Sequence, residues 1–182
     1  MTPLETLDAI HEHANLTLQQ YMTNRERVAN GLPIELPSLP WWKEDPDRSR
    51  LWRAQLTRAS LVGANLKGIS FRDTILVDAN LSGANLSGAN LLGAILQRAE
   101  LVKTDMRKAN LTEAYLKGAD LRDANLNEAQ LENAVFREAD LRGAQLAGTT
   151  ILDADFTGAK RFHADPLIEG WFVENGILFR QL

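Results

Sequence analysis

From Leu51 to Phe156 every fifth residue is large and apolar, without a single insertion. Of these 22 positions 17 are Leu, and the others are Phe71, Met106, Phe136, Ile151 and Phe156. Two residues before each lies a small side chain, Ala in 17 of the 22 cases. The unit reads A-[N/D]-L-x-x, as in Ala84-Asn85-Leu86-Ser87-Gly88, and its large apolar residue is termed the centre below. A spacing of five fits neither a helix nor a strand, so neither can place all the centres on one side. A unit with two inward residues and a turn makes a short flat side and a corner. Such sides close only by coiling, and successive coils stack at about 4.8 Å.

The outward positions give the number of sides. The residue before the centre is usually Asn, Asp, Gln or Ser, but it is Ile75, Ile95, Tyr115 and Val135 at intervals of 20 residues. Steps of 15 or 25 from Ile75 reach Asn90 or Glu100 and break the series. Twenty residues per coil means four sides. Leu56, Leu76, Leu96, Leu116, Phe136 and Phe156 then form one inner column, so two rings should stack near its end. Burying each centre contributes about 1.5–3 kcal/mol before entropy, and the filled interior leaves no room for a ligand. Thr74, Thr104, Thr149 and Ile69 break the small-residue rule, and Ile69 beside Phe71 is expected to widen its coil.

The A-[N/D]-L-x-x array resembles the pentapeptide repeat family. The resemblance implies an all-β solenoid, a right-handed quadrilateral β-helix, here of about 5.5 coils over residues 49–160. It also implies one alternative function, because some family members are similar to a DNA rod in size and charge and bind type II topoisomerases such as gyrase.

Caps are expected on both ends of the solenoid, where a stack exposes unpaired edges and its apolar axis. Residues 1–30 read as a helical N-terminal cap. Thr2-Pro3-Leu4-Glu5 is a capping box with Pro at the first helical position. Leu4, Leu7, Ile10, Ala14, Leu18 and Tyr21 follow at helical spacing, with a break near Asn15 and a stop at Asn30-Gly31. Residues 31–48 form a connector whose Pro33, Pro37, Pro40 and Pro46 forbid a regular element. Its Trp41-Trp42 pair is expected to pack between the helix and the first coil. Residues 161–182 read as a C-terminal cap in which a short helix from Asp165-Pro166 precedes an extended tail. A hairpin turning at Asn175-Gly176 is the competing reading.

Little in the chain supports chemistry. There is no cysteine, which excludes disulfides and thiolate metal sites. His11 and His13 stand two apart on an expected helix and do not converge, and His163 is isolated. The serines before and after the centres (Ser60, Ser70, Ser82, Ser87) have no histidine in reach, and the recurrent glycines mark corners rather than a phosphate loop. No enzyme, cofactor or metal is expected. With no apolar run long enough for a membrane span and no basic-then-apolar leader, a cytoplasmic location is expected.

Two surface columns remain. Glu100, Asp120 and Asp140 align on one side, with Arg122, Arg142 and Lys103 nearby, which reads as an ion-pair lattice or as a cation- or partner-binding stripe. Ile75, Ile95, Tyr115 and Val135, extended by Val77, form an apolar ridge about 15 Å long. The ridge fits three uses: cover by the chain's own N-terminal segment, a homodimer contact, or a docking face for another protein. The expected function is therefore a non-enzymatic scaffold or protein-interaction module. The net charge is −4, but residues 49–160 hold 14 basic and 13 acidic side chains, which weakens the DNA-mimic alternative. Direct nucleic-acid binding is disfavoured because the basic residues are interleaved with acids and lack an aromatic platform.

Overall fold

The structure is a computed structural model that describes residues 1–14, 18–32, 51 and 53–180. Two helices, α1 (Pro3–Ala14) and α2 (Leu18–Ala29), precede the repeat rod. A hairpin of β1 (Trp171–Glu174) and β2 (Ile177–Arg180) follows it.

Each five-residue unit of the rod is closed by one turn and tied to its neighbours by three bonds. The turn bond runs from the small residue's N–H to the preceding centre's carbonyl, as in Ala94 to Leu91 (2.9 Å). Every second residue after a centre, from Arg53 to Gly158, has a positive φ, the requirement of the type II turn at that position. Only some of these corners are Gly. Residues such as Lys103 (φ 55°) and Glu113 (φ 58°) hold the left-handed conformation as well, so the corner is imposed by the stacked coils rather than chosen by glycine alone. Between coils, Ile95 N donates to Thr74 O (2.9 Å) and Leu76 N donates to Ile95 O (2.8 Å). Parallel bridges join residues 20 apart throughout, from Gln55 with Ile75 to Asp140 with Lys160. The coil is four-sided, as the outward residues predict.

The axis is filled by side chains. All but a few of the centres and their alanines are fully buried, and Phe136 and Phe156 stack with centroids 4.9 Å apart, close to the coil spacing. Thr74 and Thr104 are buried in alanine positions because each hydroxyl finds a carbonyl one coil back, Leu51 and Leu81 respectively. The exception at Ile69, where a wider coil is expected, leaves the pairing between coils intact. Ile69 is only half-buried, and the ladder through it is unbroken, with Phe71 N to Asn90 O at 2.7 Å and Asn90 N to Ile69 O at 2.9 Å. The side chain yields toward solvent, which costs less than breaking backbone pairing.

The N-terminal helix closes the first coil. Thr2 and Glu5 form the capping box reciprocally, with Thr2 N to Glu5 Oε2 at 2.7 Å and Glu5 N to Thr2 Oγ1 at 3.2 Å. Leu7 and Ile10 join the core of the rod. The buried Thr6 hydroxyl accepts from Ser60 N (2.9 Å), and the Met1 ammonium donates to Arg58 O (2.9 Å). Helix α2 is stopped by Gly31 (φ 70°) just beyond its last residue, and Leu32 N reaches back to Arg27 O (2.8 Å). The connector from residue 33 onward, with Trp41-Trp42, lies outside the described residues.

The C-terminal cap is a hairpin, and the expected short helix with an extended tail is absent. Asn175 (φ 50°) and Gly176 (φ 78°) make the two-residue turn that twisted antiparallel strands prefer. The deciding factor is the open edge of the last coil. Leu178 N donates to Ala159 O (2.8 Å) and Arg161 N to Gly176 O (2.9 Å), partners that a helix could not supply. The repeat also runs one position further than its sequence suggests. Lys160 still bridges Asp140, and Arg161 takes the axial place one coil beyond Leu141.

Candidate interaction faces

A second role for the residue before the centre emerges from the hydrogen bonds. Its side-chain oxygen accepts the N–H of the residue after the centre, as in Asn80 to Ser82 (3.0 Å), Asn90 to Leu92 (3.1 Å), Asn110 to Thr112 (3.0 Å) and Asn125 to Asn127 (3.1 Å). These short Asx turns satisfy a corner donor that the ladder leaves free. Asp performs the same service at Asp105, Asp120, Asp140 and Asp155.

The apolar ridge abandons this device. Ile75, Ile95, Tyr115 and Val135 bridge one another in a continuous column bounded by Gln55 below and Asp155 above. Ile75, Ile95, Val135 and Val77 are half-buried, and Tyr115 is exposed. With no acceptor on these side chains, the N–H groups of Val77, Gln97, Lys117 and Arg137 have no protein acceptor among the described residues. The face thus gives up hydrogen bonds worth about 1 kcal/mol each and presents apolar surface in their place. Cross-strand stacking of β-branched residues returns part of that, about 0.2–1 kcal/mol per pair.

The acidic column is a lattice of ion pairs. Arg122 grips Asp120 with Nε at 2.8 Å and Nη2 at 2.6 Å, and Arg142 holds Asp140 with the same distances. Each guanidinium keeps its partner carboxyl below the usual range, chiefly through these hydrogen bonds. Glu100 accepts from the Asn80 amide one coil below, whereas Lys103 makes no ion pair among the described residues. The same pairing recurs on other sides: Arg107 with Asp105, Arg98 with Asp78 and Arg137 with Asp155. No group of three His, Cys, Asp or Glu side chains among the described residues is arranged to hold a metal ion. Within the stripe Asp120 and Asp140 are neutralised by their arginines, and among the described residues Glu100 is held only by the neutral Asn80 amide.

One apolar surface is not apparent from the sequence. Leu152, Phe162, Leu167, Phe172 and Phe179 are exposed around the C-terminal cap, and Phe172 stacks on Phe179 at 5.7 Å. The helical reading of this segment hid the pair, since only a hairpin register sets residues 172 and 179 opposite each other. No described helix is long and apolar enough to cross a membrane.

The sequence matches the model for pentapeptide repeats in eight copies, over residues 47–73, 74–113, 114–151 and 124–160. Since that span exceeds half of the chain, the protein belongs to the pentapeptide repeat family, and its rod is the right-handed quadrilateral β-helix. Solved structures to which it is similar include HetL of Nostoc sp. strain PCC 7120, a pentapeptide repeat protein involved in heterocyst differentiation regulation. Identity there is 31%, over 60% of this chain and 66% of HetL, with a TM-score of 0.29. The chain therefore spans just under two thirds of that relative. Rfr23 of Cyanothece 51142 is 33% identical over 53% of this chain and 86% of its own, with a TM-score of 0.34. The protein alr5209 of Nostoc PCC 7120 is 30% identical over 71% and 93%, with a TM-score of 0.39. No curated protein matches the sequence.

Proposed function

We propose that the protein is a non-enzymatic interaction module that recognises a protein surface through the face bearing Ile75, Ile95, Tyr115 and Val135. The observation that carries this reading is the double cost of that column. At each of the four positions an Asn would satisfy the corner N–H and face water comfortably, as it does elsewhere in the same rod. The chain instead places aligned apolar side chains there. A filled axis and a surface on which acids are paired with arginines support binding in preference to catalysis. The paired acids also argue against DNA mimicry, which needs a net negative rod to occupy a DNA channel.

The test replaces Ile95 and Tyr115 with Asn, the residue the fold uses at equivalent positions. The doubly substituted protein is expected to keep its circular dichroism spectrum and a cooperative thermal transition while losing association with itself or a partner. Unchanged association in the presence of both substitutions would remove this face from the function.

A further inference from the structure

We infer that the occupant of the ridge is a second copy of this chain, docked side by side with its rod parallel to the first about a two-fold axis along the rods. This rests on the reading of the ridge as an interaction face and names its partner. Two observations carry it.

The first is charge. The face is bounded by two corner columns of opposite sign. The corner leading into it, built from residues 52–53, 72–73, 92–93, 112–113, 132–133 and 152–153, carries two arginines against four carboxylates, a net of −2. The corner leaving it, from 57–58, 77–78, 97–98, 117–118, 137–138 and 157–158, carries four basic against two acidic side chains, a net of +2. A two-fold axis parallel to the rod sets the −2 corner of each copy against the +2 corner of the other. Within one coil, Glu113 then faces Lys117 and Glu132 faces Arg137 of the second copy, each cation adding this contact to its own-chain pair with Glu138 or Asp155. The face-to-face alternative with antiparallel rods sets each corner against its own kind, which like-charge repulsion disfavours. Glu113 is exposed and makes no ion pair within its own chain among the described residues, so it is free to find one across the contact.

The second observation is pitch. The ridge repeats at the coil spacing, and each of its residues bridges the next. A surface with a step of about 4.8 Å is met row for row by another stacked β-structure, and an identical rod in parallel orientation matches it throughout. Ile75, Ile95, Tyr115 and Val135 would each then lie against their own equivalents. Gln55 and Asp155 end the apolar strip, so the contact is finite and closes as a dimer.

The absence of cysteine makes the geometry directly testable in the full chain. Single variants Ile75→Cys and Val135→Cys are oxidised at concentrations where sedimentation equilibrium shows dimer. Disulfide-linked homodimers of both variants are expected, because each position meets its own mate. An equimolar mixture that links only as Ile75→Cys with Val135→Cys would show antiparallel rods and overturn the parallel arrangement. A dimer that forms no link at either position would place self-association elsewhere, for example on the exposed aromatics of the C-terminal cap, and would also overturn it. Charge is tested separately. Glu113→Lys is expected to weaken the dimer about fivefold, and adding Lys117→Glu is expected to restore it. A strictly monomeric wild type at the highest attainable concentration refutes the second copy as occupant. The broader reading then survives only if a purified partner binds wild type and fails to bind the Ile95→Asn, Tyr115→Asn protein.

Discussion

Arg161 occupies the axial position one coil above Leu141 and donates Nη1 to the Leu141 carbonyl at 3.4 Å. The same nitrogen reaches Ala144 O at 3.3 Å, while Nε and Nη2 share Pro166 O at 3.2 and 3.0 Å. In the body of the rod an alanine carbonyl receives an N–H from the next coil; above Ala144 the side chain of Arg161 supplies the donor. A buried guanidinium thus ends the solenoid by satisfying the Ala144 and Pro166 carbonyls, which a leucine would leave bare, while Leu141 O already accepts the turn bond from Ala144 N (3.0 Å). Burial pulls its pKa below the usual value, and the negative Asp165 partly opposes that shift.

Arg161→Met, which preserves much of the volume but removes the donors, is expected to destabilise the protein by about 1–3 kcal/mol. Arg161→Ala adds a cavity and should cost more, about 2–5 kcal/mol. Both are measured by denaturant unfolding. If the methionine variant matches wild type, the carbonyl bonds are not what secures this end.

This arginine shows where legibility in the sequence ends. The inner column was readable because one residue type recurs there, and the four-sided coil because Ile75, Ile95, Tyr115 and Val135 break a polar rule every 20 residues. Arg161 looks like a lapse of the pattern, since a charge at an inward position makes sense only when the unpaired carbonyls of the final coil are known. The hairpin was obscured for a related reason. Leu167, Ile168, Trp171 and Phe172 fit a helical face as well as a strand, and the open coil edge that selects the strand is a tertiary feature. The ridge was legible by position, but its cost was not, because the Asx bonds that Asn makes elsewhere are visible only in the folded backbone.

Acid stability should follow the arginine-held carboxylates. Asp105, Asp120 and Asp140 all have pKa values lowered by their arginine partners. A group whose folded pKa lies below its unfolded value stabilises above the unfolded value and loses that contribution as pH falls through the folded one. The thermal midpoint is therefore expected to be flat near neutrality and to fall below about pH 4. Because Asn makes the same Asx bond, Asp120→Asn with Asp140→Asn should alter the neutral midpoint little, these being surface pairs, yet flatten the acid limb. An acid limb as steep as that of wild type would assign the pH dependence to other groups.

The corners carry a distributed strain. Lys103 holds φ at 55°, and its side chain makes no ion pair among the described residues to set against that left-handed backbone, whose N–H donates to Arg122 O (2.9 Å). An L-residue there costs roughly 1–2 kcal/mol relative to Gly, against about 0.5–1 kcal/mol of extra unfolded-state entropy for Gly. Lys103→Gly is therefore expected to leave stability unchanged or raise it by up to about 1.5 kcal/mol, the reverse of the usual effect of Gly in β-structure. Chemical denaturation decides the sign, and a clear loss would mean that the stacked corner favours a side chain.

The ridge separates stability from function most sharply. Replacing Ile75, Ile95, Tyr115 and Val135 together with Asn offers an acceptor to the N–H groups of Val77, Gln97, Lys117 and Arg137. Each new Asx bond contributes about 0.5–1.5 kcal/mol, while each lost apolar pair along the column removes about 0.2–1 kcal/mol. With the four bonds set against the three lost pairs, the fourfold variant is expected to be as stable as wild type or more so when monomeric, and unable to associate. The measurement is the thermal midpoint as a function of protein concentration. Wild type should show a midpoint that rises with concentration, as mass action requires of a folded-state complex, and the variant a midpoint that does not. A variant that unfolds outright would show instead that the four side chains are part of the rod's own stability rather than an exposed surface kept for binding.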